Sequence, residues 1–300
     1  MSPFVSVIIP LYNKEKSIKS TIETVLKQTY EDYEIIVVND GSKDKGVNRV
    51  TEIRDPRVRL INQENAGVSS ARNTGIHAAK GEWILFLDAD DVLLPNALSV
   101  LISNIKDNNT IVAADFLVQM PEYEYRYLNI PNSRLFNSEE EIYKAWALRK
   151  LFLRAGSFIM PTDVAKMELY NSNYSRFEDV DFIFRCFSCL KIYLVPEVVM
   201  IYVTTMAEGS KVNIHNWQND YLFFLKFEPN KFWKNCVLGK HVDIAIKSYP
   251  TKSQNIKSLY KSHHKYILIS RALHYYSIFR HGFWTRCNRK VNRLLNSEIQ

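Results

Sequence analysis

The sequence predicts an α/β protein with a mostly parallel sheet flanked by helices, and three observations support this class. Continuous apolar runs alternate with segments of helical periodicity through residues 4–108, which is the rhythm of βαβ units. These runs lack apolar–polar alternation, as expected for strands that are buried on both faces. Polar and acidic residues follow the runs directly, and ligands of such sheets bind beyond the carboxyl ends of the strands.

The first third of the chain contains the clearest elements. The first helix is supported by Ile18, Ile22 and Val25, which fall on one helical face. Gly81 separates a later helix from the strand that begins at Trp83. The predicted elements are strands at 4–10, 33–39, 58–62 and 83–87 and helices at 14–28, 67–80 and 95–108. Parallel pairing of these strands would bring their carboxyl ends to one rim of the sheet.

The middle of the chain is less regular. The predicted elements are a strand at 111–120, a tyrosine-rich loop at 121–137, a helix at 139–149, a helix that opens at 176–182, and strands at 191–195 and 198–202. A loop of this length is often functional. The helix at 176–182 has Glu178, Asp179 and Asp181 near its N-terminus, where carboxylates complement the helix dipole.

The strand at 83–87 runs straight into three carboxylates, Asp88, Asp90 and Asp91. Carboxylates crowded at a sheet rim repel one another unless a cation neutralises them, and Mg²⁺ or Mn²⁺ commonly bridges carboxylates to substrate phosphates. The alternative is that Asp90 or Asp91 caps the following helix. One cap does not need three carboxylates, so we expect a metal–phosphate site at this rim.

The composition is that of an ordinary globular chain, with 46% hydrophobic and 24% charged residues. No apolar run approaches the roughly 20 residues that span a bilayer, and the N-terminal segment lacks the basic start of a signal peptide. Four cysteines are too few for a disulfide framework, so Cys186 and Cys189 are expected to be buried structural thiols. These features predict a cytoplasmic protein.

Charge divides the chain into two predicted domains, 1–212 and a mainly helical extension at 213–300. Residues 231–300 carry 14 Lys and Arg against 2 Asp and Glu, whereas the other 230 residues carry 25 against 30. Within 257–296, apolar residues from Leu268 onward recur at helical spacing among basic side chains. Such a helix suits either an anionic membrane surface or packing of its apolar stripe on the first domain. Nucleic-acid binding has no other support in the sequence.

Five motifs lie along the chain at strand ends or helix starts. They are VIIPLYN at 7–13, VVNDGS at 37–42, NAGVSSARN at 65–73, DADD at 88–91 and FED at 177–179. In this order they resemble the family 2 inverting glycosyltransferases, over about residues 4–205. The resemblance implies a GT-A fold, in which a Rossmann-like, mostly parallel sheet is flanked by helices.

The resemblance also implies roles in binding a nucleotide sugar. Pro10 and Tyr12 would border the nucleotide base, with Tyr12 stacking on it, although an aromatic ring is also often core filling. Asp40 would accept a hydrogen bond from a uracil-like N–H, although Asp-Gly-Ser is also a plain turn sequence. Arg72 would contact the base or the diphosphate, and Asp88 the ribose or a metal-bound water.

The same resemblance implies a metal site and a general base. Asp90, with Asp88, would hold Mn²⁺ or Mg²⁺ against the diphosphate. Asp179 would take the proton of the acceptor hydroxyl as that hydroxyl attacks the anomeric carbon. Glu178 and Asp181 are competitors for this role, and the sequence leaves them open.

One departure from the family concerns 204–211, where many relatives place a His that helps hold the metal or the diphosphate. This segment contains no His. Thr205 or Lys211 could contact the diphosphate instead, and His215 is expected at the surface.

Taken together, these features predict a metal-dependent glycosyltransferase that moves a sugar from a UDP-sugar to a glycan or lipid-linked acceptor with inversion, in surface polysaccharide biosynthesis. The basic helix would hold it peripherally at the inner face of a membrane. A sugar nucleotidyltransferase is an alternative, but the glycine-rich motif it needs is missing from 11–14. A non-catalytic carbohydrate- or membrane-binding protein is another, against which the full set of carboxylates argues.

Overall fold

The computed structural model describes residues 4–204, 220–224, 227–248, 258–261 and 263–274. These residues form two compact units. The first contains the described residues within 4–142 and 152–224, and the second contains 143–151 and the described residues from 227 onward.

Strands and helices alternate through the first hundred or so residues, as the sequence predicts. The strands are β1 (Val5–Leu11), β2 (Tyr33–Asp40), β3 (Val58–Gln63), β4 (Trp83–Phe86), β5 (Val92–Leu93), β6 (Thr110–Gln119), β7 (Glu124–Arg126), β8 (Arg134–Phe136), β9 (Phe158–Pro161) and β10 (Lys191–Val203). The helices are α1 (Ile18–Leu26), α2 (Gly46–Thr51), α3 (Val68–Ala78), α4 (Ala97–Ser103), α5 (Glu139–Ala147), α6 (Thr162–Glu168), α7 (Glu178–Cys186) and α8 (Phe232–Ser248).

The ten strands form one sheet with the order β3-β2-β1-β4-β9-β6-β10-β5, to which β7 adds beside β6 and β8 beside β10. Parallel pairs join β1 to β2 and β4, β2 to β3, and β6 to β10. Strand β9 runs antiparallel between β4 and β6, with two residue pairs on each side. The carboxyl ends of β1, β2 and β4 therefore lie side by side, and the residues that follow these strands share one rim.

The sheet centre is apolar on both faces, which explains the absence of alternation in the sequence. Every residue of β4 is buried, and so are all residues of β1 except the half-buried Pro10. Burial of each large aliphatic side chain contributes about 1.5–3 kcal/mol relative to its exposure. The predicted α/β class and mostly parallel sheet are confirmed.

Several predicted boundaries are wrong. The segment 121–137 is not a plain loop, since it contains β7 and β8. The strands predicted at 191–195 and 198–202 are one strand, β10, whose pairing with β6 shifts register around Pro196. Helix α1 begins only at Ile18, because a turn in which the Ile18 N–H donates to the Lys14 carbonyl precedes it. Helices α2 and α6 and strands β5 and β9 have no counterpart among the elements predicted from the sequence.

The cysteine prediction is confirmed for Cys186 and wrong for Cys189. Cys186 is the last residue of α7 and is buried, whereas Cys189 lies in the following turn and is exposed. The Cys189 thiol donates to the Cys186 carbonyl oxygen at 3.3 Å, so the pair forms a local turn contact.

The second unit is helical in its described part, as the sequence predicts. Residues 258–261 and 263–274 are helical and pack on α8, where Gly239 leaves room for the Tyr266 backbone at 2.7 Å from the position of a Cβ. Arg271 donates to Asp243 on α8 at 2.5 Å. Among the described residues, no helix is both long and apolar enough to cross a membrane.

Candidate active site

A cavity of about 700 Å³ opens at the rim formed by the carboxyl ends of the parallel strands. This cavity is lined by the ends of β1 and β2, the loops after β1, β3 and β4, the N-terminal part of α3 and the segment before α7. Six residues predicted from the sequence line it, namely Pro10, Tyr12, Asp40, Arg72, Asp88 and Asp90. Topology thus brings together residues separated by up to eighty positions in the chain.

Asp40 organises the nucleotide end of the cavity. It is the last residue of β2, is only 3% exposed, and accepts hydrogen bonds from the backbone N–H groups of Ala66 and Gly67 at 2.8 and 2.9 Å. Gln63 donates a third at 2.8 Å. Its carboxylate therefore fixes the loop that leads into α3. Tyr12 lines the same cavity and is 44% exposed, so its ring does not fill the core.

Arg72 is buried on α3 and holds two carboxylates in place. It donates to Asp88 at 3.1 Å and to Glu178 at 3.4 Å. Its guanidinium carbon also lies 5.2 Å from the ring centroid of Tyr170. Burial alone would lower the pKa of the guanidinium, but the surrounding groups, Asp88 and Glu178 included, raise it above its ordinary value. Arg72 is therefore a buried, charged residue that links Asp88 to Glu178, and it is not a solvated helix residue.

The other two carboxylates of the acidic stretch have different environments. Asp90 forms an ion pair with Lys14 at 2.6 Å. Asp91 is fully buried, accepts the Val203 N–H at 3.2 Å, and has Arg154 as its nearest cation at 3.7 Å. Burial raises the pKa of Asp91 to about 8, with smaller contributions from neighbouring charges. Asp91 therefore belongs to the interior of the rim and does not line the cavity.

Helix α7 presents its acidic N-terminus to the same region. Glu178 lines the large cavity, whereas Asp179 is exposed and lines an adjoining cavity of about 60 Å³. Burial, reinforced by Asp179, raises the pKa of Glu178 to about 7. Phe177 precedes the helix in the left-handed region with φ 57°, an uncommon conformation for a bulky residue. Asp181 pairs with Arg185 at 3.0 Å and lines neither cavity, which leaves Glu178 as the one competitor of Asp179.

Comparison with known proteins identifies the family. A family model described as "Glycosyl transferase family 2" matches residues 6–165, more than half of the chain. The chain belongs to glycosyltransferase family 2. This confirms the resemblance inferred from the five motifs.

Curated relatives of this chain agree with the family assignment. Glycosyltransferase GlyG of Streptococcus pneumoniae is 35% identical over 191 residues, which covers 60% of this chain and 63% of GlyG. WfgD of Escherichia coli, a UDP-Glc:alpha-D-GlcNAc-diphosphoundecaprenol beta-1,3-glucosyltransferase, is 43% identical over 106 residues, covering 35% of this chain and 42% of WfgD. The chain thus spans less than two thirds of the length of these relatives.

A solved structure supports the fold. The crystal structure of Staphylococcus aureus TarS residues 1–349 in complex with UDP-GlcNAc superimposes with a TM-score of 0.66, covering 86% of this chain and 79% of the TarS chain. Identity is 17%, so this likeness concerns the fold alone. The GT-A fold implied by the motifs is therefore confirmed.

Glycosyltransferases of this fold generally use a divalent metal, and the residues at the rim fit one. Asp88 and Asp90 both line the cavity, and their hydrogen-bond and ion-pair partners are the cationic side chains of Arg72, Arg154 and Lys14. In the described part of the chain, no three His, Cys, Asp or Glu side chains form a ready ligand set. Mg²⁺ is often bound by only one or two carboxylates, with waters and substrate phosphates as the other ligands, so two are sufficient.

The sequence did not identify Lys14, Arg154 or Tyr202 as residues of the site. Each lines the cavity, and each is outside the functional residues that the motifs identify. Lys14 directly follows the first motif, which could have drawn attention to it. Nothing in the local sequence marks Arg154 or Tyr202. The alternatives Thr205 and Lys211, and His215, lie outside the described residues.

Proposed function

We propose that this protein transfers a sugar from a nucleotide-sugar donor, a UDP-sugar, to a glycan or lipid-linked acceptor with inversion. The observation that carries the proposal is the cavity of about 700 Å³ in which Asp40, Arg72, Asp88 and Asp90 converge from three separate segments. Its volume falls in the range of ligand pockets, about 300–1,000 Å³.

The nucleoside would bind at the end of the cavity lined by Pro10, Tyr12 and Asp40. The exposed Tyr12 ring offers a face on which a base can stack. Asp40 already accepts three hydrogen bonds, and a carboxylate has about four lone-pair sites, so it retains capacity for one more donor such as a ring N–H.

The diphosphate would lie over Asp88 and Asp90, with Asp88 also near the ribose. These two carboxylates would hold Mn²⁺ or Mg²⁺, which when bound supplies positive charge to the departing diphosphate. Lys14 and Arg72 hold the same carboxylates and add positive charge to this part of the cavity. Each cation is positioned before the donor arrives, which is the arrangement expected of electrostatic preorganisation.

Asp179 would act as the general base. The acceptor oxygen forms a bond to the anomeric carbon while the bond from that carbon to the diphosphate oxygen breaks, and Asp179 takes the hydroxyl proton. The small cavity beside the large one supports this role, because it places Asp179 beside Asp88 and apart from the main donor volume. Attack from that side, opposite the leaving group, would give inversion.

The acceptor would be a membrane-linked glycan, as in surface polysaccharide biosynthesis, with the protein held peripherally at the cytoplasmic face. The described part of the basic segment supports placement at a membrane surface. Leu268 is 46% exposed, and Lys261, Lys265 and Ala272 are exposed at the same helical spacing, so this stripe is not packed away in the second unit. Exchange of Lys261 and Lys265 for Glu should weaken binding to anionic liposomes at low salt, whereas equal binding would count against this placement.

The donor is tested by incubating the protein with a panel of nucleotide sugars and Mn²⁺ and measuring the released nucleoside diphosphate. Release from one UDP-sugar, increased by an acceptor extract from membranes, is the expected result. Release of pyrophosphate from a nucleoside triphosphate and a sugar 1-phosphate, supplied in a parallel assay, would instead indicate nucleotidyl transfer. Lack of nucleotide binding in calorimetry with the full panel of nucleoside diphosphates would refute the proposed function.

A further inference from the structure

The guanidinium of Arg154 has unused hydrogen-bonding capacity at the rim. Its Nε is buried without a hydrogen-bond partner. The nearest carboxylate oxygens, on Asp91 and Asp88, lie 3.7 and 3.9 Å from its Nη2, which is beyond hydrogen-bond distance. Within the described residues, none of its five N–H donors therefore has an acceptor in place, and the side chain is only 24% exposed.

This guanidinium is nevertheless held in a fixed position. Its central carbon lies 3.3 Å from the ring centroid of Tyr202, at the end of β10. The Arg154 backbone exchanges hydrogen bonds with Ser157, in which its N–H donates to the hydroxyl at 3.0 Å and its carbonyl accepts from that hydroxyl at 2.9 Å. A planar guanidinium that is stacked on one face and has no acceptor along its edge has the geometry that binds phosphate oxygens in pairs.

The location of Arg154 points to the reacting end of the donor. It lines both the large cavity and the small one that contains Asp179, and it shares this wall with Arg72 and Asp88. Two neighbouring cations of the cavity are already paired closely, Lys14 with Asp90 at 2.6 Å and Arg72 with Asp88 at 3.1 Å. Arg154 can therefore accept a new anionic partner without losing a short ion pair.

We propose that Arg154, supported by Tyr202, binds the diphosphate of the nucleotide-sugar donor and stabilises it as it leaves the sugar. The residue lies outside all five sequence motifs, in the loop before β9. This inference rests on the proposed function, because it takes a nucleotide sugar as the ligand of the cavity. A lipid-linked acceptor could also carry a diphosphate, so the test uses a nucleoside diphosphate in the absence of any acceptor.

The experiment compares diphosphate with nucleoside binding. The wild-type chain is titrated by calorimetry with UDP, GDP, ADP, CDP and dTDP in the presence of Mn²⁺, and the nucleotide that binds is carried forward with its nucleoside. Arg154→Gln should weaken nucleoside diphosphate binding roughly ten- to a hundredfold, as expected for loss of charged hydrogen bonds. Nucleoside affinity should change less than twofold, and Arg154→Lys should recover part of the lost affinity.

A second variant separates binding from folding. Arg154→Gln leaves the buried Asp91 without its nearest cation, so Arg154→Gln combined with Asp91→Asn replaces both members of this ionisable pair together. The double variant should have a thermal midpoint closer to that of the wild type and the same loss of diphosphate affinity. Tyr202→Leu should give a smaller loss of the same kind.

The outcomes are distinguishable. If the wild type binds none of the five nucleotides, both the proposed function and this inference fail. If the wild type binds one and the Arg154 variants bind it equally well, only this inference fails. An equal loss of nucleoside and nucleoside diphosphate affinity would also overturn it, because it would show a purely structural role.

Discussion

Replacement of Asp40 by Asn tests how the nucleotide end of the cavity is held. The carboxylate is almost completely buried and accepts three hydrogen bonds, two of them from the backbone N–H groups of Ala66 and Gly67. An amide keeps one acceptor oxygen but places an NH₂ group against an N–H donor, and it removes the negative charge from the remaining bonds.

The cost can be worked from these contacts. An unsatisfied buried donor costs about 1–3 kcal/mol, and the loss of charge weakens the two remaining hydrogen bonds further. We expect a total of about 2–4 kcal/mol, which corresponds to a thermal midpoint lower by about 4–16 °C for a unit of this size. Nucleotide affinity should fall as well, because the loop at 64–67 lines the cavity.

Asp44→Asn is the matched control. Asp44 also accepts two backbone N–H groups, from Glu15 and Gly46 at 2.8 and 2.9 Å, but it does not line the cavity. It should lose stability while its nucleotide affinity, measured by calorimetry with UDP, stays within twofold of the wild type. An Asp40→Asn protein as stable as the wild type, or an equal loss of UDP affinity in the Asp44 variant, would refute the reasoning.

Three further predictions address catalysis, pH and packing. Asp179→Asn should lower turnover about 10²–10⁴-fold with little change in UDP affinity. If Glu178→Gln loses turnover and Asp179→Asn does not, the base is misassigned. Burial lowers the pKa of His241 to about 4, so the folded state favours the neutral ring. The free energy of unfolding should therefore fall by at most about 3 kcal/mol as the pH drops from about 6.5 towards 4. Thermal unfolding against pH should show this slope, and His241→Gln should flatten it. A Cβ added at Gly75 would lie 2.3 Å from Ile8 Cγ2, so Gly75→Ala should cost about 1–3 kcal/mol, and Ile8→Ala in the same chain should give less than the sum of the two single losses.

The parallel half of the sheet could be predicted because its strands are long apolar runs with clear helices between them. The short strands could not. β5 has two residues, and β7 and β8 have three each, too few for any periodicity to show. Their existence depends on pairing with β6 and β10, which is a tertiary contact.

The same distinction applies to the site. Asp40, Asp88 and Asp90 could be predicted because they directly follow strands whose ends must meet. Arg72 was identified through its motif, but its burial and its ties to Asp88 and Glu178 depend on how α3 and α7 face each other across the rim. Arg154 follows no strand, so only the folded chain reveals its position.

The antiparallel strand β9 has a consequence for how such enzymes diverge. Only two residue pairs on each side join it to its neighbours, Trp83 and Ile84 on one side and Val112 and Ala113 on the other. The cavity takes Asp40 from one side of this narrow seam and Tyr202 from the other. A change in the length or tilt of β9, which has four residues, could therefore widen or narrow the cavity without altering a side chain that binds ligand. Such a change would alter which ligands the cavity admits.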